Sequence, residues 1–179
     1  HVESLRAEWG DRLMSLSTRK SPRIATQLLR VALAGALTGL AAWSFRAAFA
    51  DGSSMVVLLA IAAPVAVAIG WGSVVVAFGQ RMNGAIGTGL AVLSIAVAIA
   101  VSTNPGADVR LGPARLLTGS LPSDPDGPQL ATVSAVAGSA ALFAVQLALR
   151  PGGALLPALP ALCCLLLGLG LGAAVAPLP

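Results

Sequence analysis

Long apolar segments separated by short polar connections dominate this chain of 179 residues. A helix rises about 1.5 Å per residue, so about 20 apolar residues cross the hydrocarbon core of a bilayer. Five segments approach or exceed that length, at residues 28–49, 55–79, 85–101, 130–149 and 155–175. The pattern predicts an all-α, polytopic membrane helix bundle with about five transmembrane helices over residues 28–179.

The composition agrees with this interpretation and excludes an ordinary soluble domain. Hydrophobic residues make up 56% of the chain, charged residues only 10%, and the mean hydropathy is +0.87. A soluble domain carries about 25% charged residues to cover its surface. With so few charges, most apolar side chains of this protein must face lipid or one another.

The distribution of Lys and Arg predicts the orientation. Six of the eleven basic residues lie in the first thirty positions, which favours contact with anionic lipid over nucleic acid. With a cytoplasmic N-terminus, eight basic residues fall on the cytoplasmic side and three on the other. Because positive charge accumulates on the cytoplasmic side, we predict a multi-pass plasma-membrane protein with an extracytoplasmic loop at 102–129 and an extracytoplasmic C-terminus.

The first 27 residues carry a separate amphipathic pattern. Apolar residues recur there at three- and four-residue steps, with charged residues between them, which is typical of a helix lying in the membrane interface. An ordinary cytoplasmic helix packed on another domain is an equally good interpretation. The candidate interface residues are Trp9, Arg19, Lys20, Arg23 and Arg30.

Two pairs of glycines have the spacing of a helix-packing motif. Gly35 and Gly39 form a G-x-x-x-G pair in the first segment, and Gly168 and Gly172 form another in the fifth. Such pairs let two membrane helices approach closely. The letters from Gly168 to Ala173 also spell the G-x-G-x-x-A of a dinucleotide-binding turn. That interpretation fails, because no acidic residue follows and the glycines lie inside a continuous apolar run.

No catalytic, cofactor-binding or metal-binding site is predicted. Cys163 and Cys164 are adjacent, so they cannot both bind one tetrahedral ion comfortably, and the only histidine is His1. We therefore interpret the cysteines as small apolar packing residues. The five segments contain no Asp, Glu or Lys, and such charges are what ion and proton pathways usually need.

Three stretches together resemble the N-terminal membrane region of the transglutaminase-like membrane proteins of actinobacteria. They are WSFRAAFADGS at 43–53, the Pro/Gly-rich loop sequence at 104–128, and LALRPGGALLPALPALCCLLLGLGLG at 147–172. The resemblance implies a larger protein, in which an extracytoplasmic transglutaminase-like domain with a Cys-His-Asp set follows the spans. None of that set is present here. A MoxR-type ATPase and a von Willebrand-like protein are the partners that the resemblance implies.

These observations predict an integral membrane anchor or assembly region that is not itself catalytic. The chain begins with His1 and ends directly after an apolar run, so we expect it to be part of a longer polypeptide. Its expected partners are the lipid bilayer and other membrane subunits or further copies of itself. A small structural subunit of a multi-protein membrane complex is the alternative, and a transporter or channel component is a less favoured one.

Overall fold

The structure, a computed structural model, contains five helices in the continuous ranges of the chain that it describes. It describes residues 23–78, 111–118, 128–150 and 155–175, together with residues 89, 92, 93, 96 and 122. The helices are α1 (Arg23–Ala48), α2 (Met55–Phe78), α3 (Gly112–Thr118), α4 (Pro128–Leu149) and α5 (Ala158–Val175). No β-strand occurs among these residues, so the predicted all-α class is confirmed for them.

Three of the helices are long and apolar enough to cross a membrane, namely α1, α2 and α4. They correspond to the first, second and fourth predicted spans. Helix α5 is a further apolar helix at the position of the fifth span. The third predicted span, 85–101, lies outside the described residues except for isolated positions, as does most of the predicted interfacial segment 1–27.

Helix α1 begins earlier than predicted and changes its winding near its end. It starts at Arg23 rather than near Leu28, directly after Pro22 in the sequence, and proline is favoured at helix starts. Residues Trp43–Ala48 form a 3₁₀ helix, which is a common way for an α-helix to end. The guanidinium of Arg46 lies 5.1 Å from the centre of the Trp43 ring, close enough for a cation–π contact.

A tight polar turn joins α1 to α2. The backbone N–H of Ser54 donates to the Asp51 carbonyl at 3.1 Å, and the Ser53 hydroxyl donates to the Asp51 carboxylate at 3.1 Å. The Ser54 hydroxyl accepts a hydrogen bond from the Val57 N–H at 3.4 Å, as an N-cap serine does. This cap fixes the start of α2 where the sequence predicts it.

Prolines mark the starts of α4 and α5. Helix α4 begins with Pro128, two residues before the predicted start at Leu130, because proline is well suited to the first helical position. Helix α5 begins at Ala158, three residues later than predicted, because residues 155–157 form a turn that ends in Pro157.

The short helix α3 lies within the loop predicted at 102–129 and was not predicted as a helix. Its sequence, GPARLLT, begins with Gly and Pro, which are typical of turns. Helix α3 packs near the start of α4, where a Cβ on Gly112 would overlap the Thr132 hydroxyl and the Pro128 carbonyl.

Side-chain contacts define the direction of each helix. Gly35 faces Ile69 and Gly39 faces Val65, so α1 and α2 are antiparallel. The early residues of α2 and α4 share one buried cluster and their late residues share another, so these two helices are parallel. Gly168 faces Ser44 and Gly172 faces Ala47, so α5 runs parallel to α1.

These directions give the bundle two ends with different charges. One end, which we call the basic end, contains the start of α1, the ends of α2 and α4, and the start of α5. It carries Arg23, Arg30 and Arg150. The opposite end, which we call the α3 end, carries Arg46, Arg115 and the acidic Asp51. Among the described residues, the basic end therefore carries three arginines and no acidic residue, and the α3 end carries two arginines and Asp51.

Candidate functional site

The first predicted glycine pair lies at the contact between α1 and α2. A Cβ on Gly35 would overlap the Ile69 side chain, and a Cβ on Gly39 would lie 3.6 Å from Val65 Cγ1. Gly35 therefore leaves no room for a Cβ beside Ile69, whereas Gly39 leaves room for a methyl group. The two members of the pair contribute unequally to the contact.

The second predicted pair packs α5 against the 3₁₀ end of α1. A Cβ on Gly168 would overlap the Ser44 hydroxyl and lie 3.2 Å from the Phe45 backbone nitrogen. A Cβ on Gly172 would lie 3.3 Å from Ala47 Cβ. This region of α1 is held in its conformation partly by the Ser44 hydroxyl, which donates to the Ala41 carbonyl at 2.6 Å. Both glycines thus let α5 approach the backbone of α1.

Gly72 is a third close-packing position, and sequence reasoning missed it. A Cβ there would overlap Val145 of α4 and lie 2.8 Å from Val31 Cγ1 of α1. Gly72 is therefore the point at which α1, α2 and α4 meet. Its signal in the sequence is weak, because the only small-xxx-small spacing it forms within α2, with Ala68 four residues earlier, is a common one in these Ala-rich helices.

Small side chains make up much of the interface between these helices. Ala42, Ala48, Ala60, Ala68, Ala137, Ala141 and Ala144 are all fully buried. In a membrane, apolar side chains gain no hydrophobic free energy by leaving lipid for a helix contact. Helices associate there through van der Waals packing instead, and small residues favour it because they allow close backbone approach. Small side chains therefore occupy many of the described helix contacts.

Two buried hydroxyl groups in this core differ in their hydrogen bonding. Thr38 is fully buried and its hydroxyl donates to the Ala34 carbonyl at 2.8 Å. Ser134 is also fully buried, but its hydroxyl has no hydrogen-bond partner. Neither hydroxyl has a histidine or carboxylate beside it in the described part of the chain.

The candidate interface residues divide between the described and undescribed parts of the chain. Arg23 and Arg30 are exposed on one face of α1 at the basic end, with Thr26 and Gln27 between them. This position suits contact with lipid headgroups, because arginines there lie beside the first two turns of a candidate span. Trp9, Arg19 and Lys20 lie outside the described residues.

The two cysteines point in different directions from α5. Cys163 is exposed, whereas Cys164 is buried in the core cluster. In the described ranges, no three His, Cys, Asp or Glu side chains come together as a possible metal site. The structure therefore places Cys164 in the helix packing and Cys163 on the surface of α5.

An apolar crevice lies between α4 and α5 in the described part of the chain. It consists of two cavities of about 670 Å³ and about 440 Å³, which share Val136 and Leu167 in their linings. The larger cavity lies toward the α3 end and extends to Phe45 of α1 and to Leu116 and Leu117 of α3. We call the two cavities together the α4–α5 crevice.

The architecture belongs to the class of α-helical proteins with candidate membrane-spanning helices. Comparison of the chain with known protein families, with curated proteins and with solved structures gives no match.

Proposed function

We propose that this chain is an integral membrane anchor and assembly region that crosses the plasma membrane five times, with a cytoplasmic N-terminus and an extracytoplasmic C-terminus. The observation that carries the proposal is the packing of long apolar helices through buried small side chains, with the described charges placed at the two ends of the bundle. An interior of this kind is suited to a scaffold, because it packs helices tightly and contains few groups that could react or bind a ligand.

The excess of arginine at the basic end supports the proposed orientation. Lys and Arg near span ends are retained on the cytoplasmic side, and Arg23, Arg30 and Arg150 lie together at that end. Asp51, the one described acidic residue, lies at the opposite end. The fifth span is supported by α5, which continues for 18 residues. The third is supported by the apolar sequence at 85–101.

The sequence resemblance extends the proposal to a larger protein. In that form the spans anchor an extracytoplasmic transglutaminase-like domain that would follow Pro179, and the MoxR-type ATPase and von Willebrand-like protein would be its partners. Reading the coding sequence past Pro179 tests this extension. A stop near Pro179 would instead favour a small subunit of a membrane complex. The exposed leucines of α1 would then supply a surface for other subunits (Leu29, Leu33, Leu37 and Leu40).

Membrane extraction and a flux assay test the anchor role itself. We expect the protein to stay in the membrane pellet after alkaline carbonate washing, because each spanning helix would expose about 20 apolar residues to water on release. Proteoliposomes that contain it should show no more solute flux than empty ones, since α2, α4 and α5 carry no charged residue. Flux that Gln146→Leu abolishes would contradict the anchor role and support a transporter.

A further inference from the structure

Pro64 removes one hydrogen bond from the middle of α2. It lies inside the helix and is fully buried. Because proline has no backbone N–H, the carbonyl of Ala60, four residues earlier, loses the donor that an α-helix normally provides. Ala60 is also fully buried, so bulk water does not reach this carbonyl. In membrane helices, a carbonyl freed by proline is satisfied by a neighbouring helix, a Ser or Thr hydroxyl, or an ordered water.

Ser134 of α4 carries a hydroxyl group that also needs a partner. It is fully buried and makes no hydrogen bond within the chain. The other hydroxyl residues of α2 and α4 each donate to a carbonyl of their own helix, at 3.0, 2.9 and 3.1 Å (Ser73, Thr132 and Ser139). An unpaired buried hydroxyl destabilises the fold. A hydroxyl donor and a carbonyl acceptor are complementary, so both groups gain by being linked.

The packing of α2 against α4 brings Ser134 to the level of this carbonyl. Gly72 of α2 faces Val145 of α4, and the two helices are parallel. Eleven residues make about three turns of an α-helix and return to the same face. The same step back from this contact reaches Ile61 on α2 and Ser134 on α4, which are both buried. The carbonyl belongs to the peptide that joins Ala60 to Ile61, so it lies at the same height as Ser134.

The carbonyl also lies on the face of α2 that contacts α4. Ala60, Pro64 and Ala68 recur at four-residue steps, which places them on one face, and all three are buried. Ala60 and Ala68 share a buried cluster with the residues of α4 that flank Ser134 (Val133 and Ala137). A helical carbonyl points along the axis toward the residue four positions later, so the Ala60 carbonyl stays on this face.

We propose that the Ala60 carbonyl and the Ser134 hydroxyl bind one buried water, which links α2 to α4 beside Pro64. The water accepts a hydrogen bond from the Ser134 hydroxyl and donates one to the Ala60 carbonyl. A water suits the site because the hydroxyl bonds directly to no group of the chain, and buried waters in proteins satisfy such groups. The inference goes beyond anchoring, because it identifies a polar link that fixes the register of two helices whose contact is otherwise apolar.

A double-mutant cycle on the full chain in detergent tests the link. Ser134→Ala should lower the thermal unfolding midpoint by about 2–4 °C, the effect of losing one hydrogen bond in a chain of this size. Pro64→Ala supplies a backbone N–H that donates to the Ala60 carbonyl directly, which makes the water unnecessary. In the Pro64→Ala background, Ser134→Ala should therefore leave the midpoint unchanged or raise it.

Three further variants separate the link from packing. Ser134→Cys keeps nearly the same shape but donates only weakly, so it should lower the midpoint as Ser134→Ala does. Ser134→Asn should keep a midpoint close to that of the wild type, because its longer side chain takes the place of the water and donates to the carbonyl itself. Ser139→Ala removes a hydroxyl that donates within α4, so its effect should be the same with proline or alanine at position 64.

An equal loss for Ser134→Ala in both backgrounds would overturn the proposal, because the hydroxyl would then bond within α4. A midpoint that Ser134→Ala raises in the presence of Pro64 would show an unpaired hydroxyl and have the same consequence. If Ser134→Asn lowers the midpoint more than Ser134→Ala does, the site has no room for a water. Each result is distinguishable from failure of the anchor proposal, because carbonate extraction reports membrane insertion separately from unfolding in detergent.

Discussion

Replacing Gly72 by leucine should lower the free energy of unfolding by about 3 kcal/mol, the upper part of the range for overpacking a core. The added side chain has no space, because its first carbon would already overlap Val145 and lie 2.8 Å from Val31. Both neighbours are β-branched and therefore have little rotamer freedom with which to move away. The three helices that meet at Gly72 would have to separate.

Gly70→Leu is the matched control for this substitution. A Cβ at Gly70 meets nothing within 4 Å, so this variant keeps the gain in helix propensity without the clash. Thermal unfolding in detergent should show a loss of roughly 6–12 °C for Gly72→Leu relative to Gly70→Leu, given a shift of about 2–4 °C per kcal/mol for a chain of this size. Equal midpoints would contradict the three-helix contact.

Gly168→Leu should separate α5 from the 3₁₀ end of α1. The new side chain would overlap the Ser44 hydroxyl and approach the Phe45 backbone nitrogen. Backbone cannot rotate away as a side chain can, so α5 itself must shift. Cys164, four residues earlier on α5 and buried in the core, should then become accessible.

The number of reactive thiols measures this movement. In the folded wild type in detergent, a small membrane-permeant maleimide should modify the exposed Cys163 faster than the buried Cys164, which mass spectrometry reads as a first label that precedes the second. Gly168→Leu should add a second label at a rate at least about tenfold faster than in the wild type, as expected for a loss of more than about 1.4 kcal/mol of local stability. Gly170→Leu should retain the wild-type pattern. If the second label is added as slowly in Gly168→Leu as in Gly170→Leu, the contact between α5 and α1 does not lie at Gly168.

The positions of the long helices were predictable because their signal is local. An apolar run followed by polar residues defines a span by length alone, and Ser54 marks the start of α2 by its capping hydroxyl. The errors in the predicted helices lie at the residues where the helices begin. Leu155 and Leu156 are as apolar as the helix that follows them, so hydropathy cannot separate the turn at 155–157 from α5.

Features that depend on contacts between helices were less predictable. Helix α3 has seven residues and begins with Gly-Pro, too short for an apolar period to be visible. Gly72 has only the common small-xxx-small spacing with Ala68, and its importance comes from Val31 and Val145, which are distant in sequence. The crevice arises only when α4 and α5 pack side by side, because its lining alternates between two helices that a loop separates in the sequence.

The central claim is that the chain crosses the membrane with its basic end in the cytoplasm and its α3 end outside. Single cysteines at each end test it most directly, in a background of Cys163→Ala and Cys164→Ala. Asp51→Cys reports the α3 end and Arg150→Cys the basic end. Both positions are exposed and outside the helices, so reaction with a maleimide depends on the side of the membrane and little on packing.

In intact cells, a membrane-impermeant maleimide should label Asp51→Cys, and it should label Arg150→Cys only after permeabilisation. The prediction follows because Lys and Arg concentrate on the cytoplasmic side and the two positions lie at opposite ends of the bundle. The reverse pattern would contradict the orientation. Labelling of both positions from the same side would contradict the membrane-spanning bundle itself.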